Sequence, residues 1–409
     1  MKAFRLTTFA TAVPLLAALS VLPPAQALPF PGWFSSLLQP RATVCNGFAE
    51  LCSRSFANFT VIGTHDSYAI SPTNLAANQD VSVTAQLDAG IRMLQVQAHK
   101  SDNRTVRGAG IDLCHTSCSL FQGGSLEYYL SQVKSWMDKN PTEVLSLLIV
   151  NSDSLPASQF AQAFESTGLA PKSYRPPAGI AGTAKTEWPT LGALIDAGTP
   201  LVSFLASYAD SSVPYLLDEF SSIWEPRYNQ LTTPFNCSVD RIVQGYDASN
   251  LMYLANFFKD QSVFGSTTLV IPDKKAMSTT NSMASILSNA NNCASQHNSY
   301  PTFILTDFFN TPHQNGPLSA AAVMNGMPWT SNSTGVPFGS ITYSGYSASQ
   351  YGSGSSSGNS SSSGNGAGAG TGNSGGGGGS SAAAPSLHAL SRLASILAAS
   401  TLLAVALLS

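Results

Sequence analysis

Charged side chains are scarce in this chain. Asp, Glu, Lys and Arg together make up 10 % of its 409 residues, and the formal net charge is −3. A nucleic-acid-binding protein needs clustered Lys and Arg to neutralise phosphates, and the sequence contains no such basic stripe. We therefore expect no nucleic-acid partner. Low charge combined with abundant Ser, Thr and Asn is typical of a glycosylated cell-surface protein.

Long apolar runs are also missing, and two short ones lie near the chain ends. At the N-terminus, Lys2 and Arg5 precede an apolar run over 9–22, and Ala25-Gln26-Ala27 forms a small-x-small cleavage site. A membrane helix needs about 20 apolar residues, and the prolines in and after this run argue against one. The sequence thus predicts a secretory signal peptide over residues 1–27.

The C-terminal part has the layout of a GPI-attachment signal. Residues 346–381 are almost entirely Ser and Gly, a composition that buries no core and favours a flexible stalk. A spacer and an apolar tail follow within 382–409, and the tail is short for a membrane span. We expect a lipid anchor at Ser380, with Asn373 and Ser374 as alternatives, on the plasma membrane or cell wall. A plain tail anchor is the competing interpretation.

Six cysteines and several sequons fit the same secretory route. The cysteines form three near pairs, Cys45/Cys52, Cys114/Cys118 and Cys237/Cys293. Other pairings are open, and nearest-neighbour disulfides are the simplest. A zinc site at Cys114, His115 and Cys118 is the alternative, although it lacks a nearby fourth ligand. The sequons that predict N-glycosylation are Asn58, Asn103, Asn236, Asn332 and Asn359.

Between the terminal signals, residues 42–345 have the size of one α/β domain. Short apolar runs predict strands, and they alternate with segments of helical periodicity. The strand candidates are 59–64, 91–98, 111–114, 144–150, 200–205, 251–256, 267–271 and 302–307, and the helix candidates are 125–139, 157–167 and 191–197. Ser125 is the expected N-cap of the first helix. This alternation predicts a parallel sheet with helices.

Two histidines lie at the ends of separate predicted strands. His65 stands in Gly63-Thr64-His65-Asp66-Ser67, and His115 lies between Cys114 and Cys118. One imidazole can be neutral while the other is charged near pH 7, which suits a reaction that takes one proton and gives another. Each histidine alone is more often structural, but the pair predicts acid–base chemistry.

Several segments resemble the X domain of phosphatidylinositol-specific phospholipases C, and most of all the secreted fungal PLC-like phosphodiesterases. They are GTHDS (63–67), AQLDAGIRMLQVQAH (85–99), LCH (113–115), MDKNPTEVLSLLIVNSD (137–153) and PTFILTDFFN (301–310). The resemblance implies a (β/α)8 TIM-type barrel over 42–345, with its site at the C-terminal ends of the strands. It implies a phosphoric diester hydrolase that cleaves inositol phospholipids or glycosyl-inositol phosphates. We expect a monomer without a cofactor.

The same resemblance implies that four residues carry the chemistry. His65 would be the general base and His115 the general acid, with Asp66 on the leaving-group side. Asp307 would hold one ring nitrogen of His65 and so fix its tautomer. The structural alternatives are that Asp66 caps a loop and that Asp307 is a buried acid satisfied by the backbone.

The second predicted strand departs from the family pattern. The family places acidic calcium ligands or an arginine there, and this chain has Gln95 and Gln97 at the matching positions. An amide is uncharged and is a poor calcium ligand alone, so we expect no metal. Because side chains alternate along a strand, His99 would share their face and could supply the charge, whereas Arg92 would face away. Asn151 is a further substrate-binding candidate.

Three functions stay open at this point. The paired histidines favour a metal-independent phosphodiesterase at the cell surface. Gln95 and Gln97 favour a catalytically impaired barrel that binds lipids or glycans. The third is an unrelated wall protein in which GTHDS is accidental, and it predicts a structure without a barrel.

Overall fold

One curled sheet of parallel strands organises the protein in this computed structural model. The structure describes residues 41–101, 109–263, 265, 269–312 and 315–327. Outside these residues lie the predicted signal peptide, stalk and GPI tail, with Ser380, Asn103, Asn332 and Asn359. Asn58 and Asn236 lie within them, and both are exposed.

The twelve described strands are β1 (Val61–Thr64), β2 (Met93–Lys100), β3 (Ile111–Cys114), β4 (Gln122–Ser125), β5 (Leu145–Asn151), β6 (Leu201–Leu205), β7 (Leu216–Asp218), β8 (Ile223–Trp224), β9 (Met252–Asn256), β10 (Asp260–Ser262), β11 (Val270–Pro272) and β12 (Phe303–Thr306). Eight of them pair in the parallel order β7-β6-β5-β2-β1-β12-β9-β8. A single 3-10 turn over Glu219–Ser221 joins β7 to β8. No ladder pairs these two among the described residues, which leaves an open seam. The predicted (β/α)8-type barrel is confirmed, with this seam as its departure from closure.

The seven described α-helices are α1 (Val83–Ala89), α2 (Leu126–Lys139), α3 (Ala157–Thr167), α4 (Leu191–Asp196), α5 (Met277–Thr280), α6 (Met283–His297) and α7 (Pro317–Met324). α2 begins as predicted, because Ser125 Oγ accepts a hydrogen bond from the Tyr128 amide at 3.2 Å. Its buried stripe, which includes Leu130 and Trp136, packs into the main apolar cluster. None of the described helices is both long and apolar enough to cross a membrane.

The segment 111–114 is a strand, but it is not the parallel barrel strand that the sequence suggested. β3 runs antiparallel to β2, with Leu113 opposite Ala98 and Ile111 opposite Lys100, and β4 pairs with it in turn. A parallel connection needs a crossover of about a dozen residues or more, and the chain between β2 and β3 is too short for one. The hairpin therefore turns back toward the barrel.

The sequence also predicted one barrel strand that lies outside the barrel, and it missed two strands that belong to the barrel. The predicted strand 267–271 corresponds to β11, which pairs antiparallel with β10 in a separate two-stranded ribbon. The barrel instead uses β7 and β8, which span three and two residues. Strands this short leave too few positions for a periodic pattern, so the sequence did not reveal them.

Arg92 is structural, as the sequence predicted. Its Nε donates to Glu143 Oε2 at 2.7 Å, and its Nη1 donates to the carbonyls of Leu87 and Ile91 at 2.8 Å each. The guanidinium also lies over the Trp136 ring, 5.1 Å from its centroid. The only charged group at the start of β2 is therefore committed to these contacts.

Three disulfides form, in the nearest-neighbour pairing. They join Cys45 to Cys52, Cys114 to Cys118 and Cys237 to Cys293, across separations of 7, 4 and 56 residues. No cysteine is free among the described residues. The alternative zinc site is thereby excluded, because both of its thiols are oxidised.

We expect the shortest and the longest of the three disulfide-closed loops to contribute unequally to the stability of the fold. Replacing Cys237 and Cys293 by Ala should lower the free energy of unfolding by about 2 kcal/mol more than replacing Cys114 and Cys118, because the longer loop restricts the unfolded chain more. Denaturant unfolding of the two double variants measures the difference. An equal loss in both would contradict this expectation.

Candidate active site

His65 is held at the end of β1 by the neighbouring strand β12. The two strands pair up to Thr64 and Thr306, so His65 and Asp307 emerge side by side. His65 Nδ1 donates to Asp307 Oδ1 at 3.0 Å, and Asn78 Nδ2 donates to the same oxygen at 3.0 Å. Phe258 stacks on the imidazole with centroids 3.9 Å apart and an interplanar angle of 2°. These contacts leave Nε2 as the free ring nitrogen.

The charges around His65 favour its protonated form. Burial lowers the pKa of His65, but the carboxylates of Asp307 and Asp66 outweigh it and raise the pKa from 6.5 to about 9. The imidazolium form of His65 therefore predominates below about pH 9. At neutral pH this histidine carries a positive charge in the unliganded protein.

Asp66 lies between the two histidines and is completely buried. Its Oδ2 is 3.8 Å from His65 Nε2 and 3.6 Å from His115 Nε2, and neither carboxylate oxygen has a hydrogen bond among the described residues. The backbone of Asp66 has a φ of 39°, in the left-handed region, and its amide donates to Gln95 Oε1 at 2.6 Å. A strained, buried carboxylate of this kind is typical of functional sites.

The β3–β4 hairpin brings His115 to this carboxylate. The antiparallel return of β3 puts Leu113 opposite Ala98, and the following Thr116 amide donates to Gln97 Oε1 at 2.8 Å. His115 Nδ1 donates to the Ala76 carbonyl at 2.6 Å, so its Nε2 is turned toward Asp66. The His65 and His115 ring centroids are 6.2 Å apart, with the rings at 79°.

Both imidazoles line a cavity of about 420 Å³, here called the mouth cavity. The other residues of its wall are largely apolar and come from two loops and the β10–β11 ribbon: Leu75, Leu120, Val263, Leu269, Val270, Ile271 and Pro272. Leu75 is 65 % exposed at the rim. The described lining of this cavity contains no Lys or Arg.

A second space of about 150 Å³, here called the inner chamber, adjoins the mouth cavity at His65, Gln97 and Tyr228. Its wall is polar, with Gln95, Glu219, Glu225, Arg241 and Asn256. Arg241 pairs with Glu225 through Nη2, and Asn256 Nδ2 donates to the same Glu225 oxygen at 3.1 Å. Burial, followed by the charge of Glu225, raises the pKa of Glu219 well above its usual range. The neutral form of this acid is therefore favoured beside the ion pair.

Two predicted binding residues lie elsewhere. His99 does not line either cavity; its Nδ1 is 3.3 Å from Asp153 Oδ1, beyond the point where β2 meets the mouth. Asn151 is also absent from both linings, because its amide donates to the Leu155 and Ser207 carbonyls and accepts from the Leu155 amide. The structure places both side chains outside the linings of the two cavities, so a role in substrate binding stays a prediction for each.

Several residues of the site were not anticipated. Asn78, Phe258 and Asp260 contact or surround His65, and Tyr68 lies beside Asp66. Burial and then the Asp66 carboxylate raise the pKa of Tyr68 well above its usual range. All but Asp260 sit in loops without a motif, so only the fold brings them together. Among the described residues, no group of three or more His, Cys, Asp or Glu side chains could hold a metal ion.

Comparisons with known proteins agree with this architecture. The family model described as PI-PLC X 1 matches residues 51–322. In Arthroderma benhamiae, "PI-PLC X domain-containing protein 1" is 37 % identical over 72 % of this chain and 93 % of its own length. An "Uncharacterized secreted protein" of the same organism is 36 % identical over 71 % of this chain. The match spans 66 % of that relative, just under two thirds of its length.

Among solved structures, the phosphatidylinositol-specific phospholipase C from Listeria monocytogenes aligns with 63 % of this chain and 90 % of its own, at 17 % identity and a TM-score of 0.42. The family model covers more than half of the chain, and one relative of above 30 % identity is matched over nearly its full length. The chain therefore belongs to the PI-PLC X domain family.

Proposed function

We propose that this protein is a phosphodiesterase that cleaves inositol phospholipids or related glycosyl-inositol phosphates, with His65 as general base and His115 as general acid. One observation carries the proposal: two imidazoles 6.2 Å apart turn their Nε2 atoms toward one buried carboxylate at the wall of one cavity. A phosphodiester bound at this cavity would meet a base and an acid together, as paired proton transfer needs.

In the proposed reaction, a hydroxyl of the head group attacks phosphorus and gives its proton to His65 Nε2. The ester oxygen of the departing diacylglycerol takes a proton from His115 Nε2, so the two histidines end with their protonation exchanged. Asp307 holds Nδ1–H of His65 and stabilises the imidazolium as it forms. The carbonyl of Ala76 fixes the tautomer of His115 in the same way.

The two cavities support a lipid with a hydroxylated head group. The apolar wall of the mouth cavity suits the glycerol and acyl parts of a lipid. The inner chamber offers amides and an ion pair, which suit the hydroxyls of a polyol. Because both cavities meet at His65, a substrate that fills them would present its phosphodiester to the histidines.

Secretion and attachment to a membrane surface through a GPI anchor are also part of the proposal. The signal-peptide pattern of residues 1–27 and the stalk and tail of residues 346–409 support it. Three disulfides agree with an oxidising compartment, and one matched relative is named as a secreted protein.

A binding module without turnover is the second candidate function. It is favoured by Gln95 and Gln97, because neither amide brings a positive charge to the phosphate. Gln95 is moreover engaged with the Asp66 amide and Gln97 with the Thr116 amide. In this case the cavities would bind the same lipid and leave it intact.

Histidine substitutions separate the two candidates. His65→Ala and His115→Ala should each lower turnover of phosphatidylinositol in mixed micelles by roughly 10²- to 10⁴-fold. A substrate with a much better leaving group should rescue His115→Ala, because that group needs no proton, and should not rescue His65→Ala. Asp138→Asn, an exposed pair partner of Lys134, is the matched control and should keep wild-type turnover.

If wild type and the variant with both His65→Ala and His115→Ala had equal turnover on every phosphodiester, the protein would be a binding module. Rescue of both variants by the good leaving group would contradict the assignment of base and acid.

The pH profile should report the proton on His65. As a base it must be neutral, so deprotonation of His65, with a pKa of about 9, should contribute a rising limb to the dependence of kcat/KM on pH. Asp307→Asn removes a carboxylate that raises this pKa, and the rising limb should therefore move to lower pH. The plateau should also fall, because the ring loses its orientation. An unmoved limb in Asp307→Asn would mean that another group titrates there.

We expect the activity to be independent of calcium, since the positions that hold calcium ligands in the family are Gln95 and Gln97. Turnover of phosphatidylinositol should be the same after treatment with EGTA and after calcium is restored. Loss of activity in EGTA and recovery with calcium would overturn this expectation.

A further inference from the structure

Asp260 is a buried carboxyl group in the wall of the mouth cavity. It is 5 % exposed and lines the cavity together with His65 and His115. Its backbone is fixed on both sides, because it pairs with Pro272 across the β10–β11 ribbon and its amide donates to the Gln230 carbonyl at 3.0 Å. Its Oδ2 nevertheless has no hydrogen-bond partner among the described residues. A buried oxygen held rigidly at a cavity without a partner suggests that a ligand supplies one.

The groups that face Asp260 make its negative charge unfavourable. Asp307 approaches it from the end of β12 and Asp273 from the end of β11, and only His65 opposes them with positive charge. The nearest lysine along the chain, Lys259, is committed to Asp273, with Nζ 2.5 Å from Oδ2. Burial, followed by the charge of Asp307, raises the pKa of Asp260 to about 7.

A phosphodiester would make this environment still more negative. It is an anion that would enter a cavity lined by Asp260, His65 and His115, with no Lys or Arg in the described lining. The two rings contact the buried carboxylates of Asp307 and Asp66, which adds to the negative charge near the cavity. An ionised Asp260 would repel it, whereas a neutral carboxylic acid has an O–H to donate. Carboxylic acids kept neutral by their surroundings are known to act as such donors.

We propose that Asp260 contacts the substrate as a neutral carboxylic acid, donating its O–H to a non-bridging oxygen of the phosphodiester. This assignment rests on the proposed function in one respect only, namely that the mouth cavity binds a phosphodiester. It gives the site a hydrogen-bond donor where the second strand, with Gln95 and Gln97, provides no charge. The alternative is an ionised Asp260 that accepts a hydrogen bond from a head-group hydroxyl.

Binding of dimethyl phosphate tests the proposal without turnover. This probe is a phosphodiester that keeps one negative charge across the range used. The full-length protein and its Asp260→Asn and Asp260→Ala variants would be titrated at pH 6.0 and pH 8.5 and followed by phosphorus NMR. Asn keeps a neutral donor of the same shape that does not ionise, and Ala removes the donor. Asp138→Asn removes one exposed negative charge far along α2 and controls for net charge.

The expected result is a difference that depends on pH. At pH 6.0, wild type and Asp260→Asn should bind equally, and Asp260→Ala should bind about 10-fold more weakly. At pH 8.5, wild type should lose about 10-fold or more relative to Asp260→Asn, because its carboxyl has ionised. With a pKa of about 9, His65 is mostly protonated at both pH values. Asp138→Asn should follow wild type.

Three results would overturn the proposal. A ratio of wild-type to Asp260→Asn affinity that does not change with pH would mean that Asp260 stays ionised. Equal binding by Asp260→Ala and wild type would mean that it makes no contact. Absence of binding by wild type at pH 6.0 would mean that the cavity takes no phosphodiester. If the protein bound dimethyl phosphate in the expected pattern but showed no turnover of phosphatidylinositol, only the catalytic function would be rejected.

Discussion

The site depends on a buried carboxylate, Asp66, which faces the imidazoles of His65 and His115 and lies beside Tyr68. Its oxygens have no hydrogen bond among the described residues, and a buried charge without a partner is strongly destabilising. His65, whose imidazolium predominates at neutral pH, supplies a positive charge beside it. Under the proposed function, this one interaction serves both folding and chemistry.

Two different pieces of backbone bring the histidines to this carboxylate. His65 follows a central strand, β1, which is paired on both sides and so fixes Asp66 and the adjacent Asp307. His115 arrives on the β3–β4 hairpin, which joins the sheet antiparallel to β2 and lies outside the parallel order of eight strands. A disulfide of four-residue span, from Cys114 to Cys118, encloses His115 in this hairpin. The rigid half of the site is therefore built by the barrel, and the other half by a short cross-linked loop.

Sequence alone predicted the parts of the site that a motif or a strand end marks. His65, Asp66 and Asp307 follow apolar runs, and the parallel sheet brings such ends to one edge. Alternation along β2 gave the face of the His99 side chain but not its partner, Asp153, which comes from the end of a neighbouring strand. Asp260 follows no long strand, and its proposed role depends on a ribbon that pairs residues eight to twelve positions apart. Only the folded chain brings such a residue to His65.

The open seam between β7 and β8 places one acid of the inner chamber outside the strand ladders. Glu219 lies in the turn across that seam, whereas Gln95, Gln97 and Asn256 of the same chamber lie on paired strands. His65 and Asp307 directly follow paired strands as well. Under the proposed function, Glu219 is therefore a position at which the head-group pocket can diverge without the loss of a ladder hydrogen bond, while the histidine and its carboxylate keep their places.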